Sequence, residues 1–434
     1  MKFIKIIIIF IIFIIPFLLF SQENSEDNID SLFEQEIQKE TPIEKKNQNN
    51  QDFTGRSTQF QFQALNRTWN LDIMAAVDSV MEWDNNTPHN TKNGYYIRTG
   101  EFGFYSAIDQ LAYGTLTFAA HNENGELLPE VHEANFLFPA TIIPRTNIRL
   151  GKMFPDVGRL NGFHQHDWHF TTSPIVHKEL LSDEGILDTG IELSYLFPWS
   201  FWQELSIGIY NGKTFGHAHE EGEIKQNPLL TLHLKHFIPI SDYWGTEFGF
   251  SYLRWHPDTN PDRWNHQYGI DFYLKYKKGK LKSFIWQTEI WYRETKERPK
   301  DRWQYFFDED NNLKTKIEDY NYQFDPPKKI EVLETKAGLY HFIEYQIAEQ
   351  WFIGYRYDYF LTPTKQKTNP YTLQKEYQKN GLEENSLIIT FKPSEFSYFR
   401  GQVSSTIDFE TGLRTWQYYL QAVFIIGMHP AHKY

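Results

Sequence analysis

His164, His166, His169 and His177 lie within fourteen residues of one another, with Asp167 among them. Neutral imidazole is a good ligand for Zn²⁺ or Cu²⁺, and a carboxylate can complete the shell. The segment is therefore a candidate metal site. Spacings of two and three residues in a loop do not fix a tetrahedron, so the same residues also read as a polar loop whose imidazoles meet backbone carbonyls. His217 and His219, followed by Glu220 and Glu221, form a second candidate cluster, and His429 and His432 a third at the chain end.

Other chemistries find less to work with. Ser173 stands four residues from both His169 and His177, but no hydrolase motif surrounds it, and an activated nucleophile needs a base in contact. No enzymatic activity is expected. The 434 residues include no Cys, which excludes disulfides, thiolate metal sites and Cys nucleophiles. A formal charge of −13 argues against a nucleic-acid partner, which would want a basic face.

The elements that must carry these residues follow from rhythm. From Thr68 onward, stretches of about ten residues alternate apolar with polar or small side chains, the period-two signature of strands. Phe248, Phe250 and Tyr252 alternate with Glu247, Gly249 and Ser251; Trp351, Ile353, Tyr355 and Tyr357 alternate with Phe352, Gly354, Arg356 and Asp358. Aromatic residues make up 17% of the chain, more than a soluble core needs and what the girdles of a transmembrane barrel require. The pattern predicts an all-β fold: a closed antiparallel transmembrane barrel of sixteen strands, with fourteen or eighteen tolerated. Phe248, Phe250, Tyr268, Ile270, Phe272, Trp351 and Ile353 should face lipid. Charges in mid-strand suit a water-filled lumen, and the candidate pore-lining residues are Arg149, Glu247, Asp271, Lys275, Glu289, Arg293, Arg356 and Asp358.

Long and short connections alternate, as hairpins of one orientation require. Residues 85–92, 122–130, 154–186, 212–227, 257–264, 295–329 and 362–383 read as long outer loops. The connections at 108–110, 198–200, 240–242, 278–280, 348–350 and 393–395 read as short periplasmic turns. The third outer loop, 154–186, holds the first His cluster and is apolar for a loop, with Phe154, Phe163, Trp168, Phe170, Ile175 and Val176. Such a loop in solvent is an aggregation hazard, so it should fold into the barrel and set the narrowest point.

Lys2 and Lys5 precede an apolar run from Ile6 to Phe20, which predicts a secretory signal peptide over 1–22. Residues 23–57 are polar and should form a disordered leader, with Ile29, Leu32, Phe33 and Ile37 at the spacing of a short helix. The barrel is expected over 58–434, in the bacterial outer membrane after export. Pro430 should end the pairing of the last strand.

The stretches RLGKMFPDVGRLN (149–161) and DTGIELSYLFPW (188–199), with the terminal HPAHKY, resemble a porin-like family of outer-membrane barrels often labelled zinc-regulated TonB-dependent outer-membrane receptors. The specific matches cover about 55 residues. That resemblance implies zinc-linked expression and energised import. The strand count points instead to a channel for passive uptake of small solutes, linked to zinc or other metal ions. Its surroundings would be outer-membrane lipid, and its expected assembly a homo-oligomer, a trimer. An adhesin or structural barrel is the alternative, and an outer-membrane hydrolase a more distant one.

Overall fold

The computed structural model describes residues 59–427, apart from 65–66, 86–92, 124, 140–142, 213–227, 257–263, 280–281, 298–304, 308–312, 316–331 and 369–374. The expected signal peptide and leader, His217, His219, His429 and His432 lie outside the described residues.

Strands dominate what is described. A short β1 (Gln59–Ala64) leads into β2 (Arg67–Asp84), β3 (Gly94–Ala107), β4 (Tyr113–Glu123), β5 (Glu126–Phe138) and β6 (Thr146–Met153). A long connection holding a six-residue helix α1 (Ile175–Leu180) follows. Then come β7 (Asp188–Leu196), β8 (Trp202–Tyr210), β9 (Leu229–Ser241), β10 (Trp244–Trp255), β11 (Asn265–Lys278) and β12 (Lys282–Glu297). A small hairpin, β13 (Tyr305–Phe307) with β14 (Leu313–Thr315), sits apart. The chain closes with β15 (Val332–Ala348), β16 (Trp351–Thr368), β17 (Lys375–Ser394), β18 (Ser397–Asp408) and β19 (Arg414–Gly427).

From β2 to β12 and from β15 to β19 each strand pairs antiparallel with the next, β12 pairs with β15, and β19 pairs with β2 along Gln417↔Asp84 to Gly427↔Met74. That last ladder shuts the sheet on itself, so a barrel of sixteen strands has no free edge. The hairpin β1 pairs with the start of β2 and lies outside that count.

The two faces separate as period-two alternation demands. Phe250 pairs with Ile270 and Tyr252 with Tyr268, and this face is exposed along the strands, as at Phe102, Ile353 and Leu420. One residue on, Asp271 pairs with Glu289, and both are buried on the inside.

Two outer connections are shorter than the sequence suggests. β4 runs to Glu123 and β5 begins at Glu126, and β16 and β17 extend until only 369–374 separates them. Their polar rims pair, Lys365 with Gln378 and Lys367 with Glu376, because an antiparallel ladder can continue above an apolar band at no cost to its backbone bonds. A reading based on hydrophobic alternation stops where the apolar face stops.

Candidate functional site: the loop across the barrel

Residues 154–187, between β6 and β7, enter the barrel. Their apolar side chains, including Val157, Trp168, Phe170, Val176 and Leu180, are buried against inward residues of the wall such as Trp255, Trp291, Tyr340, Phe342 and Phe360. The loop leaves the wall at β6 and is bound at β16, eight strands round a sixteen-strand ring, so it spans the interior from one side to the other.

The far half is tied by buried charges. Arg356 on β16 donates to the Thr172 carbonyl at 2.5 Å and to Thr172 Oγ1 at 3.0 Å, while pairing with Asp358 at 2.7 Å and Glu384 at 2.8 Å. Asp358 accepts from the Ile175 N–H at 3.0 Å, at the start of α1. Arg400 on β18 donates to the Trp168 carbonyl at 2.8 Å, and the Thr171 N–H donates to Gln402 at 2.8 Å. On β12, Glu289 accepts from the Leu160 N–H, Tyr340, Trp291 and His177 at 2.8–3.1 Å. Gly158 lets the backbone approach that carboxylate: its φ is +58°, and a Cβ there would lie 2.5 Å from Glu289 Oε2. Arg293 donates to the Leu180 carbonyl.

The near half meets β3, β4 and β5. His164 lies 3.3 Å from both Glu101 and Glu133, and His166 lies 3.4 Å from Glu101 and 3.5 Å from Asp167. From the strands come His121, 3.2 Å from Glu130 and 3.0 Å from Glu184, and His132, 3.5 Å from Glu184 and 4.0 Å from Glu101. Phe154 packs edge-on against the rings of His132 and His164.

A β-bulge makes this cluster. Thr117 pairs with Glu133 but the next residue, Phe118, pairs with Val131, so His132 is the extra residue. A bulge re-aims a side chain next to a site. Here it puts His132 and Glu133, neighbours in sequence, on the same inner side, while Val131 is exposed. A second bulge skips Arg98 between the pairs Asp78↔Thr99 and Ser79↔Ile97, and Arg98 then reaches Asp78 and the Thr171 carbonyl.

The electrostatics of the two halves differ. Burial alone would lower the pKa of His164, but the Glu101 and Glu133 carboxylates outweigh it and carry the imidazole well above its ordinary value. The same contest, with Asp167 and Glu101 as the anions, raises His166. Burial would raise Glu184, but hydrogen bonds from His121 and His132 hold it far below the usual carboxylate range. His169, in the far half, goes the other way: burial lowers its pKa, and the Glu344 carboxylate 3.2 Å away does not offset that.

The four loop histidines therefore do not gather. His164 and His166 stack at 5.5 Å, whereas His169 turns to Glu344 and Phe342, and His177 is sealed against Glu289 and Tyr340. The inward strand residues mostly hold the loop or each other. Arg149 bonds Glu192, Glu247 faces Arg159 at 3.3 Å, Asp271 faces His233 at 3.1 Å, and Lys275 is half-buried. Sequence reasoning passed over His121, His132, Glu130 and Glu184. Strict alternation with Glu133 inward sends His132 to lipid, so the bulge hides it; a His and a Glu adjacent in a strand was the one available signal.

No family model matches the chain. An uncharacterized protein of Aquifex aeolicus (strain VF5) is 22% identical over 369 residues, which is 80% of this chain and 71% of that one. Among solved structures, the outer-membrane channel DcaP of Acinetobacter baumannii superposes with a TM-score of 0.50 at 8% identity, covering 82% of this chain and 97% of its own. The anion-selective porin of Comamonas acidovorans gives 0.49 at 8% identity, with 82% and 100% covered. The chain shares the sixteen-stranded antiparallel architecture of outer-membrane porins, and at such identities the likeness concerns the fold alone.

Proposed function

We propose that the protein is a porin-like channel of the outer membrane that passes small solutes, with loop 154–187 as its constriction. The observation that carries this reading is the loop itself: an apolar and aromatic segment held across the lumen by charges on the wall opposite its origin. The exposed apolar face of the strands supports a membrane setting, since only a closed barrel satisfies its backbone in lipid. Lipid on the outside and a homo-oligomer, a trimer, belong to the same reading. The zinc link implied by the resemblance enters as a property of the solute path and not of energised import.

A structural or adhesive barrel is favoured by one feature, the buried apolar cluster that the loop forms inside the wall. Conductance in planar bilayers separates the two. The channel reading expects small discrete steps from the wild type and steps several-fold larger once residues 160–181 are replaced by a short Gly-Ser linker. Silence from both proteins, in a preparation shown to be folded, overturns it.

A further inference from the structure

The near end of the loop holds a feature that tethering does not explain. His132 Nδ1 is buried and makes no hydrogen bond, while His164 Nδ1 and Glu101 Oε2, both buried, stand 3.3 Å apart as a long ion pair. Glu101 and His132 are each 3% exposed. Ligand atoms of these three residues lie within 4.8 Å of one another. The far half holds the loop by aiming N–H groups at Glu289 and Asp358, whereas here His132 Nδ1 is left without a partner. A carboxylate oxygen and two imidazole nitrogens from β3, β5 and the loop converge here, and His164 becomes an electron-pair donor once a cation displaces its proton.

We propose that Glu101, His132 and His164 bind one divalent transition-metal cation of the zinc type, with water or solute as the fourth ligand. Two imidazoles and a carboxylate suit Zn²⁺, whereas Ca²⁺ and Mg²⁺ need oxygen-rich shells. Tetrahedral ligands about 2.0–2.1 Å from Zn²⁺ stand close to the 3.3 Å that separates His164 Nδ1 from Glu101 Oε2. The outer partners are in place. A neutral imidazole that ligates through one nitrogen donates through the other, and a carboxylate usually receives that proton. His164 Nε2 has Glu133 at 3.3 Å, and His132 Nε2 has Glu184 at 3.5 Å.

His132 also belongs to a second group of three, with His121 and Glu184. Its ring has one lone pair, so the two positions share a ligand and hold one cation between them. A cation passing along the loop would move from one to the other by a change of His132 tautomer.

The test uses the full chain, purified in detergent, and does not depend on pore current. Zn²⁺ binding is measured by competition with a chromophoric chelator, and Co²⁺ absorption reports the ligand geometry. The wild type should bind one Zn²⁺ in the micromolar range or tighter with tetrahedral Co²⁺ bands, and should ignore Ca²⁺. His132→Gln should weaken Zn²⁺ at least 100-fold and remove the bands, while His121→Asn with Glu184→Gln weakens it about tenfold. Folding of each variant is checked by the gel shift on heating. If His132→Gln does not assemble, His164→Asn, on the loop, takes its place with the same expectation. Zn²⁺ affinity and Co²⁺ bands that survive either variant unchanged, or a wild type that binds no Zn²⁺, overturn the proposal. Failure of the channel test with Zn²⁺ binding intact would leave this site standing.

Discussion

The two ends of loop 154–187 are built from the same kinds of residue to different effect. At the far end, charge is satisfied: Arg356 reaches two carboxylates, a carbonyl and a hydroxyl, and Glu289 accepts four hydrogen bonds. At the near end, Glu101, His132 and His164 bring buried ligand atoms within 4.8 Å of one another, with His164 Nδ1 3.3 Å from Glu101 and His132 Nδ1 unbonded. A satisfied buried network fixes one geometry, while unmet groups facing each other ask for a ligand. The comparison teaches that His density in a sequence is a poor guide to a site. His177 bonds Glu289 through Nε2 and serves the tether, and His132, alone in a strand, serves the cluster.

The largest expected effect breaks the far end. Arg356→Ala leaves Asp358 and Glu384 buried without their cation, which should cost about 3–5 kcal/mol of loop docking. Protease cleavage within 168–181 of the folded protein should rise steeply, with Zn²⁺ affinity changed by no more than a few-fold. Loss of Zn²⁺ binding in that variant would mean the two ends act as one unit.

Gly158→Ala tests how closely the loop must approach β12. A left-handed residue with a Cβ costs about 1–2 kcal/mol before any overlap, and the added carbon would also meet Glu289 and Trp291. Protease resistance of the loop should fall, by less than in Arg356→Ala. An unaltered cleavage rate would place the loop farther from the wall.

A smaller effect appears in pH. His164 is held above its ordinary pKa and so carries a proton at neutrality in the metal-free protein. A ligating imidazole must be neutral, so Zn²⁺ should release that proton, and its affinity should rise by about tenfold per pH unit until the pH reaches the raised pKa of the folded protein. Calorimetry in buffers of different ionisation enthalpy counts the proton; a pH-independent affinity would remove His164 from the shell.

The smallest effect sets the ends against each other. For His164 the folded pKa is raised, so its contribution to docking is complete below the unfolded value near 6.5 and fades as pH rises through the folded one. For His169 the folded pKa is lowered, so its contribution is present at higher pH and is lost as pH falls below about 6.5. Hydrogen exchange without metal should show residues 163–166 better protected at pH 5.5 than at pH 8.5, and residues 168–171 less well protected. The same trend in both would show that one titration governs the whole loop.

Much of this architecture was legible in the residues. Alternation such as Phe248, Phe250 and Tyr252 against Glu247, Gly249 and Ser251 fixed strand positions and faces, and Trp168, Phe170 and Val176 marked a loop that had to be buried. The rest depended on three-dimensional register. The bulges at His132 and Arg98 break the period that located their neighbours, and the pairing of the polar rims at Lys365 and Lys367 has no hydrophobic signature. Neither Glu184 nor Glu101 stands out until the loop is laid against β3 and β5.

The central claim is that loop 154–187 crosses the lumen and is held on the wall opposite its origin. The chain has no Cys, so paired cysteines can test this in the membrane-assembled protein. Thr172 Oγ1 lies 2.8 Å from Gln402 Nε2 on β18, and Ser386 Oγ lies 2.7 Å from Ser404 Oγ within the wall. A short bifunctional thiosulfonate should link Thr172→Cys to Gln402→Cys as fully as it links the control pair Ser386→Cys and Ser404→Cys. Linkage of the control pair with none between Thr172→Cys and Gln402→Cys would show that the loop does not reach the far wall.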